Sequence, residues 1–320
     1  MGSDKGAHFA TIPGVPIKHK LPTMKPTGLP NPRLARQAAK RETGAMPNTD
    51  EKSRKNGLFS FFRHQTHDAN RFFIAPGLRV DSGLSTGRTF RLRLTPRNGA
   101  IPRFKPGQCV RLSLPGYGIL SGHRTFSIAS SPWEERYIEL IVKDTGEWSG
   151  TLKALVSSRT EPIQALVAGP YGRFTCEGLG GTGRFVFLAG GIGGVPFISM
   201  LEHASRFASE DRILFLWGAA TRDDLFGMEA ISTATAKIPG FRFVPVLSRD
   251  PLWTGERGRV DGDKLLRIVP AFFGSSADKF EWNSASFWVC GPESFRRDLK
   301  KYLKSLKVHP AAIHEERFSH

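Results

Sequence analysis

The sequence predicts an antiparallel β-barrel followed by a parallel-sheet α/β domain, and three observations lead there. Between residues 89 and 168, apolar and polar positions alternate in short runs separated by Gly, Pro and Ser turns, as in Phe90-Arg91-Leu92-Arg93-Leu94; this is the period of strands with one buried face. After Gly183 the apolar runs become continuous and alternate with helix-length stretches, the pattern of a parallel sheet covered on both sides. A glycine-rich stretch at 179–183 divides the two textures. A chain of 320 residues has room for two such domains.

Residues 1–70 read as a basic, Pro-rich, flexible segment, with few large aliphatic residues to bury. A short helix fits Arg33–Glu42, and Phe59, Phe61, Phe62, Phe72 and Phe73 stand ready to pack back on the globular part or to meet a partner. The barrel is assigned to residues 71–180, with strands at Phe90–Leu94, Cys109–Leu114, Thr125–Ala129, Tyr137–Lys143 and Glu161–Ala168. The α/β domain is assigned to 181–320. It reads as strand Phe185–Ala189, helix Pro196–Arg206, strand Ile213–Trp217, helix Asp224–Ala236, strands Phe241–Leu247 and Phe287–Cys290, and a closing helix Glu293–Lys307.

Composition narrows the function. No apolar run reaches the roughly 18–20 residues of a membrane span, and the N-terminus shows no secretory h-region. Three scattered cysteines, Cys109, Cys176 and Cys290, contain no C-x-x-C pair. They argue for a reducing compartment and against a disulfide scaffold, zinc or iron–sulfur site, so no metal is expected. The expected location is intracellular and cytoplasmic, an organelle-targeting role of the N-terminal segment being the alternative. The net charge is +17, of which +7 falls in residues 1–70 and +10 in the remainder. That balance calls for an acidic partner, and charge alone does not choose among nucleic acid, anionic lipid and protein.

Two motifs carry chemistry. Gly190-Gly191-Ile192-Gly193-Gly194-Val195-Pro196 follows the first α/β strand and opens a helix. Glycines there let backbone approach a phosphate, and exposed helix N–H groups attract the anion; a tightly packed turn without ligand explains the same residues. In the barrel, Arg124-Thr125-Phe126-Ser127 lies on a strand, followed by Gly146-Glu147-Trp148-Ser149 and Gly169-Pro170-Tyr171-Gly172. An arginine, an aromatic ring and a hydroxyl at this spacing suit a pyrophosphate, a flat ring and its polar edge.

In order and spacing these elements resemble the ferredoxin–NADP reductase superfamily over residues 89–318. Further points of resemblance are Phe104-Lys105-Pro106-Gly107-Gln108, Val289-Cys290-Gly291-Pro292 and the ending His314-Glu315-Glu316-Arg317-Phe318. Leu114-Pro115-Gly116 and Gly146-Glu147-Trp148-Ser149 are most similar to the reductase modules of ferric reductases and NADPH oxidases. The resemblance implies an FAD-binding barrel, a Rossmann-like NAD(P)-binding domain, and an FAD-dependent NAD(P)H oxidoreductase that passes hydride to flavin and single electrons onward. Arg124 and Ser149 would hold the FAD pyrophosphate, with Thr125 beside them, Phe126 on the isoalloxazine, and Ser127 near flavin N5. Gly190, Gly191, Gly193 and Gly194 would receive the nucleotide pyrophosphate. Cys290 would lie beside the nicotinamide, with Glu316 and Phe318 near the flavin ring. Ser127, Cys290 and Glu316 are the residues expected at the chemistry.

For the nucleotide, Gly218-Ala219-Ala220-Thr221-Arg222 ends a strand without the acid that grips a ribose 2′-hydroxyl. Ser248-Arg249, after the next strand, resembles a 2′-phosphate site; Thr221 and Arg222 are counted with it, and NADPH is favoured over NADH. The expected acceptor is an acidic electron carrier such as ferredoxin or flavodoxin, or a haem or iron–sulfur protein, with no nucleic acid. The reading assigns its docking to the basic face of helix Glu293–Lys307, through Lys300, Lys301 and Lys304. The basic N-terminal segment offers peripheral association. The alternative is a reductase subunit of a larger oxygenase or ferric reductase complex.

Overall fold

The structure, a computed structural model, describes residues 71–75, 89–98, 100–176 and 178–317. The expected helix at 33–42, Phe59, Phe61, Phe62 and Phe318 lie outside these residues. Among the described residues two sheets form, both of six strands.

The first sheet contains β1 (Arg71–Ile74), β2 (Thr89–Pro96), β3 (Cys109–Ser113), β4 (Arg124–Ser127), β5 (Ile138–Lys143) and β6 (Ile163–Tyr171), in the order β4-β3-β6-β1-β2-β5. Every pairing is antiparallel. The two edge strands meet through an Ile128↔Leu140 bridge and a 2.8 Å bond from Ala129 N–H to the Glu139 carbonyl, which nearly closes a barrel. The alternation read at residues 90–94 holds: Phe90, Leu92 and Leu94 are buried, while Arg91 and Arg93 point outward.

Two barrel elements escaped the sequence reading. Phe72, grouped there with the end of the N-terminal segment, belongs to β1 between β6 and β2, and Phe72 and Ile74 are buried in the barrel core. Residues 147–158 form helix α1 (Glu147–Ser158), which inserts Trp148, Leu152 and Val156 into the same core.

The second sheet is parallel throughout: β7 (Arg184–Gly190), β8 (Arg212–Ala219), β9 (Phe241–Leu247), β10 (Glu256–Arg257), β11 (Ser286–Cys290) and β12 (Ile313–Glu315), in the order β10-β9-β8-β7-β11-β12. Helices α2 (Val195–Ala204) and α3 (Met228–Lys237) cover one face; α4 (Gly262–Phe272) and α5 (Glu293–Ser305) cover the other. Alternate residues of β7 serve the two faces: Phe185, Phe187 and Ala189 join one core, Val186 and Leu188 the other. The helix expected at 224–236 starts later. A 3-10 turn occupies Arg222–Asp224, and Gly227, with φ 65°, sets the entry to α3 because a side chain there would press on Ile198.

The glycine-rich stretch between the sheets is pinned. Asp211, fully buried, accepts hydrogen bonds from the N–H groups of Gly180 (2.6 Å), Gly181 (3.3 Å) and Gly183 (2.7 Å). The barrel and the α/β layer also share a core, in which Ala129, Ile141 and Phe174 pack with Phe197, Met200 and Trp288. Ser199 of α2 donates a buried 2.7 Å bond to the Ser130 carbonyl.

A polar cluster lies beside that contact. Arg91 bridges Glu139 of β5 at 2.9 Å and Glu229 of α3 at 3.2 Å, and Arg93 bonds Glu139 at 3.1 Å. Glu202 of α2 joins them, and burial, reinforced by the Glu139 charge, pushes its carboxyl up to about 7. The folded protein therefore binds this proton more tightly than the unfolded chain does. The stability that the group contributes is complete below the unfolded value near 4.5 and is lost as pH rises through 7. Glu202→Gln should accordingly gain on the wild type by up to ~3 kcal/mol between pH 4.5 and 8. Urea denaturation of both proteins at pH 5 and pH 8 measures this, and an equal difference at the two pH values would contradict it.

Candidate active site

Strand β4 displays the barrel motif. Arg124 is exposed, and its guanidinium donates to the adjacent His123 carbonyl at 3.1 Å. Alternation sends Phe126 to the same side as Arg124, where its half-buried ring leans on Trp148 at 5.6 Å and packs with the barrel core. Thr125 and Ser127 take the other side. Ser127 is 5% exposed, and its hydroxyl is buried without a hydrogen-bond partner. A buried hydroxyl left unpaired costs about 1–3 kcal/mol, so a polar ligand edge beside Ser127 satisfies a real deficit.

Ser149 stands in the first turn of α1. Its hydroxyl accepts from the N–H groups of Thr145 and Gly146, both at 3.1 Å, and donates to the Gly146 carbonyl. It therefore shapes the helix N-terminus, whose partial positive charge suits an anion. With Arg124 and Ser127, this donor set fits FAD.

Ser127 pairs across the sheet with Cys109. A Cβ built on Gly172 would lie 3.7 Å from the Cys109 sulfur and 3.9 Å from Glu316 Oε2. The Glu316 N–H bonds the Val289 carbonyl at 3.1 Å, one residue before Cys290. Ser127, Glu316 and Cys290, expected together, are thus joined through Cys109 and Gly172, to which the sequence reading gave no role at the chemistry. Cys290 is completely buried; burial, then the Glu316 charge, raises its thiol well above the usual range. The same two causes push Cys109 up to about 11, and burial raises the Glu316 carboxyl. Both sulfurs are held as neutral thiols, suited to packing against a flat ring rather than to nucleophilic attack. Trp288, one face-mate along from Cys290, stacks on His314 at 3.9 Å.

The glycine motif has two roles. Gly190 and Gly191 line a cleft of about 480 Å³ at the C-terminal edge of the sheet, with Gly218, Ser248, Arg259 and Tyr302. Gly190, Gly193 and Gly194 are buried: a Cβ on Gly190 would press on Phe295 and Pro292, one on Gly193 would collide with the Cys290 carbonyl, and one on Gly194 with the Trp217 indole. Close packing therefore accounts for three of these glycines, while Gly190 and Gly191 also line the cleft. The cleft sits where open parallel sheets bind nucleotides, outside the carboxyl ends of the strands.

Ser248 and Arg249 are exposed after β9. Thr221 is occupied with Asp224, to which its N–H and hydroxyl both donate at 3.1 Å. Arg222 is occupied as well: Nε lies 2.7 Å and Nη2 3.4 Å from the Asp250 carboxylate. The acid that engages Arg222 thus comes from the next loop, and the Arg222 hydrogen bond holds the Asp250 carboxyl below its usual range. Nothing in the spacing reveals a pair 28 residues apart.

Barrel, cleft and the junction between them define a two-domain architecture for a flavin and a pyridine nucleotide. Residues 83–175 match the family described as FAD-binding domain, and residues 187–301 match the oxidoreductase NAD-binding domain. The chain belongs to the ferredoxin–NADP reductase superfamily, and its cofactors are FAD and a nicotinamide nucleotide. It is 34% identical over 208 residues to the reductase component of a propane 2-monooxygenase from Rhodococcus jostii, an alignment covering 63% of this chain and 52% of that relative. The chain thus spans about half the length of that curated relative. Among solved structures, a cytochrome P450 reductase of Amycolatopsis superposes with a TM-score of 0.63 at 26% identity, covering 79% of this chain and 71% of the other. A ferredoxin NADP+ reductase from Neisseria gonorrhoeae, solved with FAD and NADP, shares the fold at a TM-score of 0.61 and 20% identity, over 78% and 98% of the two chains.

Arg124→Ala should weaken FAD binding by about 1.5–3 kcal/mol, the range for a hydrogen bond to a charged group. Fluorescence titration of the apoprotein with FAD provides the measurement, and equal affinities would remove Arg124 from the site.

Proposed function

We propose that this protein is the NAD(P)H-oxidising reductase of an electron-transfer system, acting as a cytoplasmic reductase component for a separate acceptor protein. The observation that carries this reading is the junction just described. It brings the unpaired Ser127 hydroxyl of the barrel, Glu316 and the Cys290 end of β11 to one place. FAD, when bound, supplies the chemistry of accepting two electrons with a hydride from nicotinamide and releasing them singly.

The chain's own residues do the positioning. Ser127 donates to or accepts from the polar edge of the flavin ring, Arg124 and the α1 N-terminus hold the pyrophosphate, and Phe126 offers the ring the edge it does not bury against Trp148. Gly190 and Gly191 admit the nucleotide phosphates at the cleft. Cys290, completely buried and kept neutral, would support from beneath the end of β11 against which the nicotinamide ring would lie. Glu316, whose carboxyl is raised by burial, closes the junction. No catalytic base is required, and none is needed from the described residues.

Anaerobic NADPH or NADH should bleach the visible flavin absorbance of the FAD-loaded protein, and Cys290→Ala should retain FAD while bleaching more slowly. If neither nucleotide bleaches the flavin, the reading fails.

The acceptor surface needs correction from the sequence reading. Lys300 is not available on α5: it bonds Glu315 at 2.6 Å, and Arg296 and Arg317 gather on the same carboxylate. Burial alone would raise Glu315, but hydrogen bonds from Lys300 and Arg317 outweigh it and hold the carboxyl low. Lys301 and Lys304 remain exposed. A better surface lies on the outer face of β3 and β6, a groove of about 890 Å³ lined by Arg71, Arg111, His123, Leu166 and Tyr171 and, among the described residues, by no carboxylate. Leu166 and Tyr171 are 41% and 45% exposed, and the Arg111 guanidinium sits 5.3 Å over the Tyr171 ring. Tyr171 precedes Gly172, which touches the Cys109–Glu316 junction, so an acidic one-electron carrier docked here stands next to the flavin site.

Such docking is steered by charges screened over about 8–10 Å at physiological salt. Arg111→Glu should raise the KM for an acidic ferredoxin about tenfold at low salt, with the effect fading near ~0.5 M salt. Steady-state ferredoxin reduction measures it. A Lys301→Glu, Lys304→Glu variant that shows the larger effect would return the interface to α5.

A further inference from the structure

Arginine recognises a phosphate by directing its planar fork at the anion, and a fork already engaged by a carboxylate has neither the donors nor the net charge to do so. Around the nucleotide cleft, three arginines follow successive strands: Arg222 after β8, Arg249 after β9 and Arg259 after β10. Arg249 and Arg259 are exposed, and Arg259 lines the cleft. Arg222 has an exposed side chain too, at 52%, yet it is engaged: its Nε meets Asp250 Oδ2 at 2.7 Å, Nη2 meets Oδ1 at 3.4 Å, and its backbone N–H points to Oδ2 at 3.4 Å.

The carboxylate is held in turn. The Asp250 side chain is only 9% exposed, and its Oδ1 accepts the Leu252 N–H at 3.1 Å. The Arg249 N–H bonds the Ala220 carbonyl at 2.7 Å, and the Ser248 N–H bonds that of Ala219 at 3.1 Å. The loops after β8 and β9 are therefore stitched together by backbone bonds, and the Arg222–Asp250 pair closes the stitch. The end of the second strand of such a sheet is where the adenosine ribose lies and where an arginine would accept a 2′-phosphate. Here the arginine is present at that place, and its charge is withheld.

We infer that Asp250 is a specificity-determining positioning residue: by engaging Arg222 it leaves Arg249 as the cation for a nucleotide 2′-phosphate and limits the preference for NADPH over NADH. This inference rests on the reading of the cleft as the nucleotide site. Releasing Arg222 should add a second cation to the same phosphate, so that the preference rises without any change at the flavin junction. Removing Arg222 itself should matter little, because its fork is not directed at the ligand.

The test measures binding, by calorimetric titration of the FAD-loaded protein with 2′-phospho-AMP and with AMP, together with KM and kcat for NADPH and NADH using ferricyanide as acceptor. In Asp250→Asn, the ratio of 2′-phospho-AMP to AMP affinity should rise about tenfold, with the gain appearing in the NADPH KM and not in kcat. The gain should vanish in Asp250→Asn, Arg222→Ala, and Asp250→Glu should restore the wild-type ratio. In the otherwise unaltered protein, Arg222→Ala should shift the ratio less than twofold, whereas Arg249→Ala should lower it; this arm stands even if the Asp250 variants fold poorly. An unchanged ratio in Asp250→Asn, a gain that persists without Arg222, or an Arg222→Ala loss as large as that of Arg249→Ala would each overturn the inference. Failure of the wild type to bind either probe would instead defeat the assignment of the cleft.

Discussion

Trp217 lies beneath the turn that follows β7, its indole N–H donating to the Gly191 carbonyl at 2.8 Å, with Gly194 directly against its ring. On the other side Gly193 meets the backbone of Cys290. These contacts leave no volume for a Cβ, and they tie together three strands, β7, β8 and β11, at their carboxyl ends. Helix α2 starts from this knot, and residues from Val195 through Leu201 are all buried, so its direction is set by packing on every side. The same helix carries Ser199 and Glu202 to the barrel. A change at the glycines therefore reaches the cleft, the Cys290 end of β11 and the contact with the barrel together.

Around that knot, apolar and polar matter are separated by task. The shared core between the sheets is aromatic and aliphatic, while the charged cluster of Arg91, Arg93, Glu139, Glu202 and Glu229 sits at its margin. Ion pairs of this kind are costly to bury and contribute orientation more than strength. The Asp211 carboxylate works differently: it satisfies the amides of a glycine-rich stretch that would otherwise be free to take many conformations. A segment that reads as a linker is thereby given one shape.

What was legible in the sequence was periodicity. The alternation at residues 90–94 and the continuous runs at 185–189 and 213–217 each became a strand of the expected kind. What stayed hidden was short, interrupted or distant. Strand β1 has four residues, and β12 has three, too few to establish a period. Helix α4 contains Pro270, which reads as a stop; it is tolerated in the last turn, and the helix is started by Asp261 accepting the Lys264 N–H at 3.1 Å. Helix α1 was masked by Gly146 and Gly150. In the site, residue types on one strand were readable, as with Arg124 to Ser127. Side-chain direction was not: that Phe126 turns toward Trp148 follows from the register with β3, and that Lys300 and Arg222 are engaged depends on Glu315 of β12 and Asp250 of the loop after β9.

The three thiols show a property that belongs to chemical durability. A reduced flavin exposed to oxygen is a source of peroxide, and peroxide attacks thiolates rather than thiols. Cys109, Cys176 and Cys290 are all buried, and burial raises the proton affinity of each. Buried and raised, the three sulfurs are held in the form that peroxide attacks most slowly, so the fold itself shields them from oxidative damage.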